Sequence, residues 1–192
     1  DIQIDIADYF NVTLDGLVRH DLSKLTHFKL SQILKGSEAD VRGRKLRLLT
    51  VSVDANEDEN IEIVSMKAQA GYTGGYADPE FISNLPKFKL PFLPKNRTYR
   101  SFQIKGDSMP PVSEGSWVTA SYLQDWNDIK DGENYIVVTK DEGIVFKRLY
   151  NKIKKEQSIT LVSTNSAYAP YTLPIDQVIE IWKFETWNGF EV

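Results

Sequence analysis

The sequence contains no cysteine. A thiol nucleophile, a thiolate metal site and a disulfide framework are therefore excluded before any motif is considered. Because small secreted domains often depend on disulfides, nothing here indicates secretion. With 192 residues, 41% hydrophobic and 26% charged, the chain is long enough for one sizeable core domain and a smaller unit.

Histidine is nearly absent. The two histidines, His20 and His27, lie in the N-terminal part of the chain, and no carboxylate cluster is spaced to complete a metal site with them. No metal or other cofactor is implied. A Ser-His-Asp triad in the larger C-terminal part is excluded, so a hydrolytic reaction there must take its base from lysine, a carboxylate or tyrosine.

Long hydrophobic runs are also lacking. The longest, such as residues 135–138, have the length of a strand and fall far short of the roughly 20 residues that span a bilayer. We therefore predict a cytoplasmic protein with no membrane partner. The sequence has no signal peptide and no initiator methionine, so we expect it to begin inside a longer gene product.

Neither sign of charge dominates the sequence. The formal net charge is -4, and residues 1–50 carry eight Lys/Arg against seven Asp/Glu, while the remainder carries fifteen against twenty. The larger part is therefore not predicted to bind nucleic acid through its bulk charge.

The first 36 residues predict a short helical segment. Ile6, Tyr9 and Phe10 lie on one face of an amphipathic helix, Asn11 suits a tight turn, and Thr13 is a good N-cap for a second helix. Residues 37–66 predict a linker that becomes a β-hairpin arm, because apolar residues alternate with period two on both sides of an acidic turn.

Residues 67–192 predict a mainly β domain, in which six segments have the composition of strands and are joined by short turns. These segments are residues 99–104, 117–122, 135–139, 144–150, 158–163 and 178–184. They favour a sandwich or a barrel-like domain. Residues 68–75 are rich in small side chains and predict an exposed, flexible loop.

One serine has a sequence context that suits catalysis. Ser108 follows directly on a predicted strand in the sequence G-D-S-M-P, so its hydroxyl can face outward at a strand-end turn where backbone N–H groups converge on an oxyanion. The alternative is an ordinary β-turn.

Lys147 favours the catalytic interpretation. Period-two geometry places it on the same strand face as Val145 and Leu149, while Ile144 and Phe146 make the opposite face apolar too. A lysine in such a strand is partly desolvated, which lowers its pKa from about 10.4. A neutral lysine can take the proton of a serine hydroxyl, which is the serine-lysine form of nucleophile activation.

The residues around Ser108 and Lys147 resemble the peptidase domain of LexA, phage CI-type repressors and the UmuD mutagenesis protein, whose fold is related to that of signal peptidases. The resemblance covers about residues 67–192 and is carried by residues 102–109, 114–118 and 145–149. It implies that Ser108 is the nucleophile and Lys147 the general base, with the backbone N–H groups of Asp107 and Ser108 as oxyanion donors.

The resemblance also implies a cleavage site within the chain itself. Members cut an upstream peptide bond, usually Ala-Gly, and this chain offers Ala70-Gly71. The family usually has apolar residues just before the pair, whereas Lys67 and Gln69 are polar here. The alternative is that these residues form only a flexible arm.

The N-terminal segment resembles the second half of a Cro/CI-type helix-turn-helix over about 20 residues. The resemblance implies that Thr13, Asp15, Arg19 and His20 approach DNA, with Arg19 as the best contact to phosphate or base. The alternative is a helical hairpin that only packs.

Together these features predict a transcriptional repressor with a C-terminal domain that dimerises and cleaves its own linker on a signal. The implied partners are operator DNA, a second copy of the chain and, as the trigger, a nucleoprotein filament. The main alternative is a regulator that uses the same fold only for dimerisation or sensing, without proteolysis. A signal peptidase acting in trans and a mutagenesis accessory protein are further alternatives.

Overall fold

The computed structural model describes residues 40–41, 44–45, 49–54 and 59–189. The chain divides into two compact units, residues 1–47 and 48–192. In the first, β1 (Asp40–Val41) and β2 (Arg44–Lys45) form an antiparallel pair. The predicted helices at residues 1–36 lie outside the described residues.

The second unit is built on a nine-stranded sheet, so the mainly β prediction is confirmed. Its strands are β3 (Ile61–Val64), β4 (Lys87–Phe88), β5 (Tyr99–Gln103), β6 (Trp117–Tyr122), β7 (Asn134–Thr139), β8 (Ile144–Lys152), β9 (Ser158–Val162), β10 (Tyr171–Pro174) and β11 (Val178–Asn188). Their order across the sheet is β10-β9-β8-β7-β11-β6-β5-β3-β4. All six predicted strands are present.

Strand β3 pairs differently from the predicted hairpin arm. It runs parallel to β5, with Ile63 opposite Ser101, and antiparallel to β4 on its other side. Among the described residues, the backbone contacts of the expected hairpin are a bridge between Val53 and Glu59 and a hydrogen bond from the Asn60 N–H to the Ser52 carbonyl. Strand β4 is short and lies at the sheet edge, as the prolines around it require.

The central strands are covered on both faces. Alternate residues of β7 enter two different apolar clusters: Ile136 and Val138 pack in one, and Tyr135 and Val137 in the other. This period-two division places apolar side chains above and below the sheet. Lys147 of β8 lies on the face of Leu149, which belongs to the second cluster.

The helices of this unit are α1 (Met66–Gly75), α2 (Pro79–Asn84) and α3 (Ile153–Glu156), with 3-10 turns at Trp126–Asp128 and Ile175–Gln177. Asp78 caps α2 by accepting the N–H of Glu80 at 3.0 Å, and Pro79 occupies its first turn. No helix in the described part of the chain is long and apolar enough to cross a membrane.

Helix α1 occupies the residues that the sequence predicted to be a flexible loop, and that prediction is wrong. Its first half is made of good helix formers, and the Ser65 carbonyl accepts the N–H of Ala68 at 2.9 Å. Its second half contains three glycines, which disfavour an isolated helix. Because Tyr72 is completely buried, tertiary packing stabilises the helix despite them.

The glycines of α1 make room for α2. A Cβ atom at Gly71 or Gly75 would lie 3.1 Å from the ring of Phe81, tighter than ordinary contact. The two helices therefore pack closely only because these positions lack side chains. Helix packing therefore explains why residue 71 is a glycine, whether or not the chain is cleaved there.

A buried polar network fastens α1 to the sheet. Arg100 on β5 donates to Glu62 on β3 at 3.2 Å and to the Tyr72 hydroxyl at 2.5 Å. That hydroxyl donates to Glu180 Oε2 on β11 at 2.6 Å. All four side chains are buried. Burial raises the pKa of Tyr72 well above its usual value, so the hydroxyl keeps the proton that it donates.

Candidate active site

Ser108 lies in a turn that is fixed on both sides. The chain leaves β5 at Gln103, and Gly106 adopts a left-handed conformation with φ of 80°, which glycine accommodates without strain. Met109 is buried in the first apolar cluster, and its carbonyl accepts the N–H of Val112 at 3.0 Å. Between these anchors Ser108 is half-buried.

Lys147 lies in the middle of β8 with only 8% of its surface exposed. Strand β7 places Tyr135 opposite Lys147. Burial lowers the pKa of Lys147, and the negative charge of Glu142 partly opposes this shift. A larger fraction of the amine is therefore neutral near neutral pH than for an exposed lysine.

The side chains of Lys147 and Ser108 meet. Lys147 Nζ lies 2.6 Å from Ser108 Oγ, and the same nitrogen lies 3.0 Å from Ser163 Oγ. The first distance is within the range over which a base takes a proton directly from a hydroxyl. The arrangement has the components of an activated serine: a half-buried hydroxyl and an adjacent, desolvated amine.

Residues 163–168, between β9 and β10, hold the Ser108 turn in place. The backbone N–H of Asn165 donates to the Ser108 carbonyl at 3.1 Å, and its side-chain amide donates to the Asp107 carbonyl at 3.2 Å. The Thr164 hydroxyl donates to the Pro110 carbonyl at 3.1 Å. The turn is therefore fixed to the strand that neighbours β8.

Tyr168 completes this contact. Its ring centroid lies 5.5 Å from Lys147 Nζ, within cation-π range, and its hydroxyl donates to Asp107 Oδ1. Sequence reasoning missed residues 163–168. The feature that identifies Ser163 is the register of the β8–β9 hairpin, which the fold supplies: Arg148 pairs with Val162, so Ser163 follows opposite Lys147.

A comparison with protein families identifies the family of this chain. A model of the Peptidase S24-like family matches residues 62–183. The chain belongs to the Peptidase S24-like family. No curated protein matches it. The resemblance to the LexA, CI and UmuD peptidase domains is thus confirmed at the level of the family, whose members are serine-lysine dyad peptidases.

The S24-like region includes both residues of the Ser108–Lys147 pair and the turn that contains Ser108. No backbone carbonyl among the described residues accepts the N–H of Asp107 or of Ser108. The family resemblance implies that these two N–H groups are the oxyanion donors, and that role stays a prediction.

The S24-like region also includes Ala70 and Gly71, which are exposed. They lie within helix α1 and are therefore not presented to Ser108 as an extended strand. The start of α1 contacts the end of β5, because Gln69 Nε2 donates to the Gln103 carbonyl at 2.7 Å and the Met66 N–H to Gln103 Oε1 at 3.1 Å.

The predicted DNA contacts precede the S24-like region. Thr13, Asp15, Arg19 and His20 lie outside the described residues, so the helix-turn-helix stays a prediction.

Proposed function

We propose that this S24-like protein is a transcriptional regulator whose C-terminal domain cleaves its own chain between Ala70 and Gly71. The 2.6 Å contact between a buried lysine nitrogen and the Ser108 hydroxyl carries the proposal. The hydrogen-bond partners of Lys147 in the described part of the chain are hydroxyl groups rather than carboxylates. Burying a lysine in this way is costly, and proton transfer from Ser108 gives it a chemical use.

The reaction begins when neutral Lys147 takes the Ser108 proton and Oγ attacks the carbonyl carbon of Ala70. The N–H groups of Asp107 and Ser108 stabilise the resulting oxyanion. When the peptide bond breaks, Lys147 returns the proton to the amine of Gly71. Water, deprotonated by Lys147, then hydrolyses the Ala70–Ser108 ester and restores the serine.

The proposed substrate segment must first change conformation. A peptide bond inside a helix cannot align its carbonyl with an attacking hydroxyl, whereas an extended strand can approach to about 3 Å. Unwinding α1 must withdraw Tyr72 from its contacts with Arg100 and Glu180. Cleavage is therefore expected to be slow in the absence of a trigger.

Cleavage at this position supports a regulatory role. It removes the covalent link between an N-terminal DNA-binding segment and a C-terminal domain that pairs with a second copy. A two-part operator is bound tightly only when both heads are linked, so the cut weakens binding. A nucleoprotein filament is the proposed trigger, and the cytoplasm is the proposed location.

The test is incubation of the purified chain between pH 7 and pH 10, with the products measured by mass spectrometry. We expect fragments 1–70 and 71–192, at a first-order rate independent of protein concentration that rises with pH as Lys147 loses its proton. Ser108→Ala and Lys147→Arg are expected to abolish cleavage. Ser166→Ala and Lys140→Arg, which change exposed residues of the same types, are the matched controls.

A second function is favoured by the helical state of α1. If the buried Tyr72 holds the helix permanently, the domain serves dimerisation or sensing without proteolysis. Absence of cleavage in wild type at every pH, with and without the trigger, would support this function and reject the first.

A further inference from the structure

The Lys147 amine has more than one hydroxyl neighbour. Ser108 Oγ lies at 2.6 Å and Ser163 Oγ at 3.0 Å from the same nitrogen, while the Tyr168 ring faces it at 5.5 Å. The negative charge of Glu142 favours the ammonium form of Lys147, but burial outweighs it and lowers the pKa of the amine. Within the described residues, hydroxyl groups therefore provide the direct hydrogen-bond partners of this buried nitrogen.

Ser163 is held in place by its neighbours on both sides. It directly follows β9, whose last residue, Val162, pairs with Arg148 beside Lys147. The next residues bind the Ser108 turn, since the Thr164 N–H contacts Met109 Sδ and the Asn165 N–H donates to the Ser108 carbonyl. The backbone on both sides of Ser163 is thus anchored to both members of the pair, and this places its Oγ 3.0 Å from Lys147 Nζ.

The direction of the amine matters as much as its charge. A neutral primary amine has two N–H bonds and one lone pair, and only the lone pair can accept the Ser108 proton. A free amine rotates about the Cε–Nζ bond, so its lone pair faces Ser108 for a fraction of the time. An acceptor at a fixed position removes this freedom and favours the reactive orientation.

We propose that Ser163 is a positioning residue that accepts an N–H of Lys147 and thereby directs the lysine lone pair at Ser108 Oγ. This role rests on the proposed function, because it matters only if Lys147 deprotonates Ser108. It adds a third residue to the serine-lysine pair without giving it contact with the substrate.

Labelling by a fluorophosphonate tests the role without requiring α1 to unwind. Ser108 Oγ forms a bond to phosphorus, fluoride leaves, and Lys147 takes the hydroxyl proton, so the labelling rate reports activation of Ser108 alone. We expect Ser163→Ala to lower this rate on the order of 10- to 100-fold, as misplacement of a catalytic group does. Ser163→Thr, which keeps the hydroxyl, is expected to restore most of it.

A matched control is available at the other end of β9, the strand that Ser163 follows. Ser158 is buried, whereas Ser163 is half-buried, and Ser158 Oγ has no hydrogen-bond partner among the described residues. Ser158→Ala therefore removes the same atom without touching Lys147. We expect its labelling rate to equal that of wild type. Rates of both variants are compared at equal folded fraction, determined by circular dichroism.

A second measurement separates positioning from a merely structural role. An oxygen that accepts from the ammonium stabilises the charged form, so its removal is expected to lower the pKa of Lys147, read from the side-chain ¹³Cε signal in a Ser108→Ala background. A lowered pKa together with slower labelling supports the proposal. An unchanged pKa, or labelling as fast as wild type, overturns it.

The two proposals fail in different ways. If Ser108 is labelled but the chain never cleaves itself, self-cleavage is rejected while the Ser163 comparison still decides the positioning role. If wild-type Ser108 is not labelled at any pH, both proposals are overturned.

Discussion

At the residue scale, the charge state of Lys147 is set by two opposing influences. Removal from water disfavours the ammonium and lowers the pKa, whereas Glu142 on the adjoining turn favours it. The Tyr171 hydroxyl donates to Glu142 at 2.6 Å and holds that carboxylate in place. Glu142 therefore helps to set the pH at which Lys147 loses its proton and can act as a base.

Glu142→Gln is predicted to shift the pH dependence of cleavage, and of fluorophosphonate labelling, to lower pH. Loss of the negative charge destabilises the ammonium, so the pKa of Lys147 falls further and more amine is neutral at pH 8. The rate there is expected to rise roughly two- to fivefold, as for one charge in a solvated position, with the alkaline plateau unchanged. Asp141→Asn is the control, and superimposable profiles of Glu142→Gln and wild type would contradict the prediction.

The pairing of Ser108 with Lys147 could be predicted from the sequence because Lys147 lies in a segment with a strong strand pattern, Ser108 follows another, and the residues around both resemble a known peptidase family. The sequence alone shows that Ser108 follows a predicted strand and that Lys147 has apolar neighbours. Ser163 could not be identified by composition, since serine is common and its neighbours are polar. Its role depends on the register of the β8–β9 hairpin, which only the fold specifies.

At the scale of elements, the β-strands followed their local patterns and α1 did not. Strands β5 to β9 and β11 alternate or concentrate β-branched and aromatic residues, which identifies them directly. Helix α1 contains three glycines, and it forms because Tyr72 enters the core and Phe81 packs over Gly71 and Gly75. Tyr72 packs against residues that are distant in sequence, such as Arg100 and Glu180. The residues of α1 alone therefore do not predict that this segment is helical.

Tyr72→Phe is predicted to accelerate cleavage between Ala70 and Gly71. It removes the hydroxyl that joins Arg100 and Glu180, so the helix costs less to unwind, and the expected rise in the first-order rate is up to about tenfold. The folded protein should lose about 1–3 kcal/mol of stability, since the buried guanidinium loses an acceptor.

Cleavage of the Tyr72→Phe variant is followed by mass spectrometry and its stability by urea unfolding. Tyr150→Phe, the same change at a half-exposed position on β8, is the control and should behave as wild type. A Tyr72→Phe variant that is less stable yet cleaves no faster would show that unwinding of α1 does not limit the reaction.

At the scale of the whole molecule, the buried network connects parts of the chain that are distant in sequence. Arg100 binds Glu62, the Tyr72 hydroxyl and the Thr50 carbonyl, while Glu62 also accepts from the N–H and hydroxyl of Ser52. The sequence did not reveal this network, because its buried side chains, Glu62, Tyr72, Arg100 and Glu180, lie in strands and a helix of otherwise ordinary composition.

Arg100→Met is predicted to destabilise the protein by about 3–5 kcal/mol at pH 8, because it leaves buried carboxylates without their countercharge. Burial raises the pKa of Glu180, so this carboxyl takes up a proton as the pH falls and the penalty is expected to shrink at pH 5. Urea unfolding at both pH values measures the difference.

The control for this prediction is Arg97→Met. Arg97 is exposed and pairs with Glu185 at 2.9 Å, so its loss should cost less than about 1 kcal/mol at either pH. Equal losses for the two variants would show that the buried network contributes no more than a surface ion pair.

The position of β3 has a consequence for what a cut at residue 70 can accomplish. This strand precedes the bond, yet it lies between β5 and β4, with Glu62 bound to Arg100. Hydrolysis alone would leave a nicked but still assembled particle, in which the N-terminal piece stays bound by strand pairing. In the proposed regulator, the rate at which the four residues of β3 leave the sheet would then set the rate at which repression is relieved. Hydrolysis of the peptide bond would only make that dissociation possible.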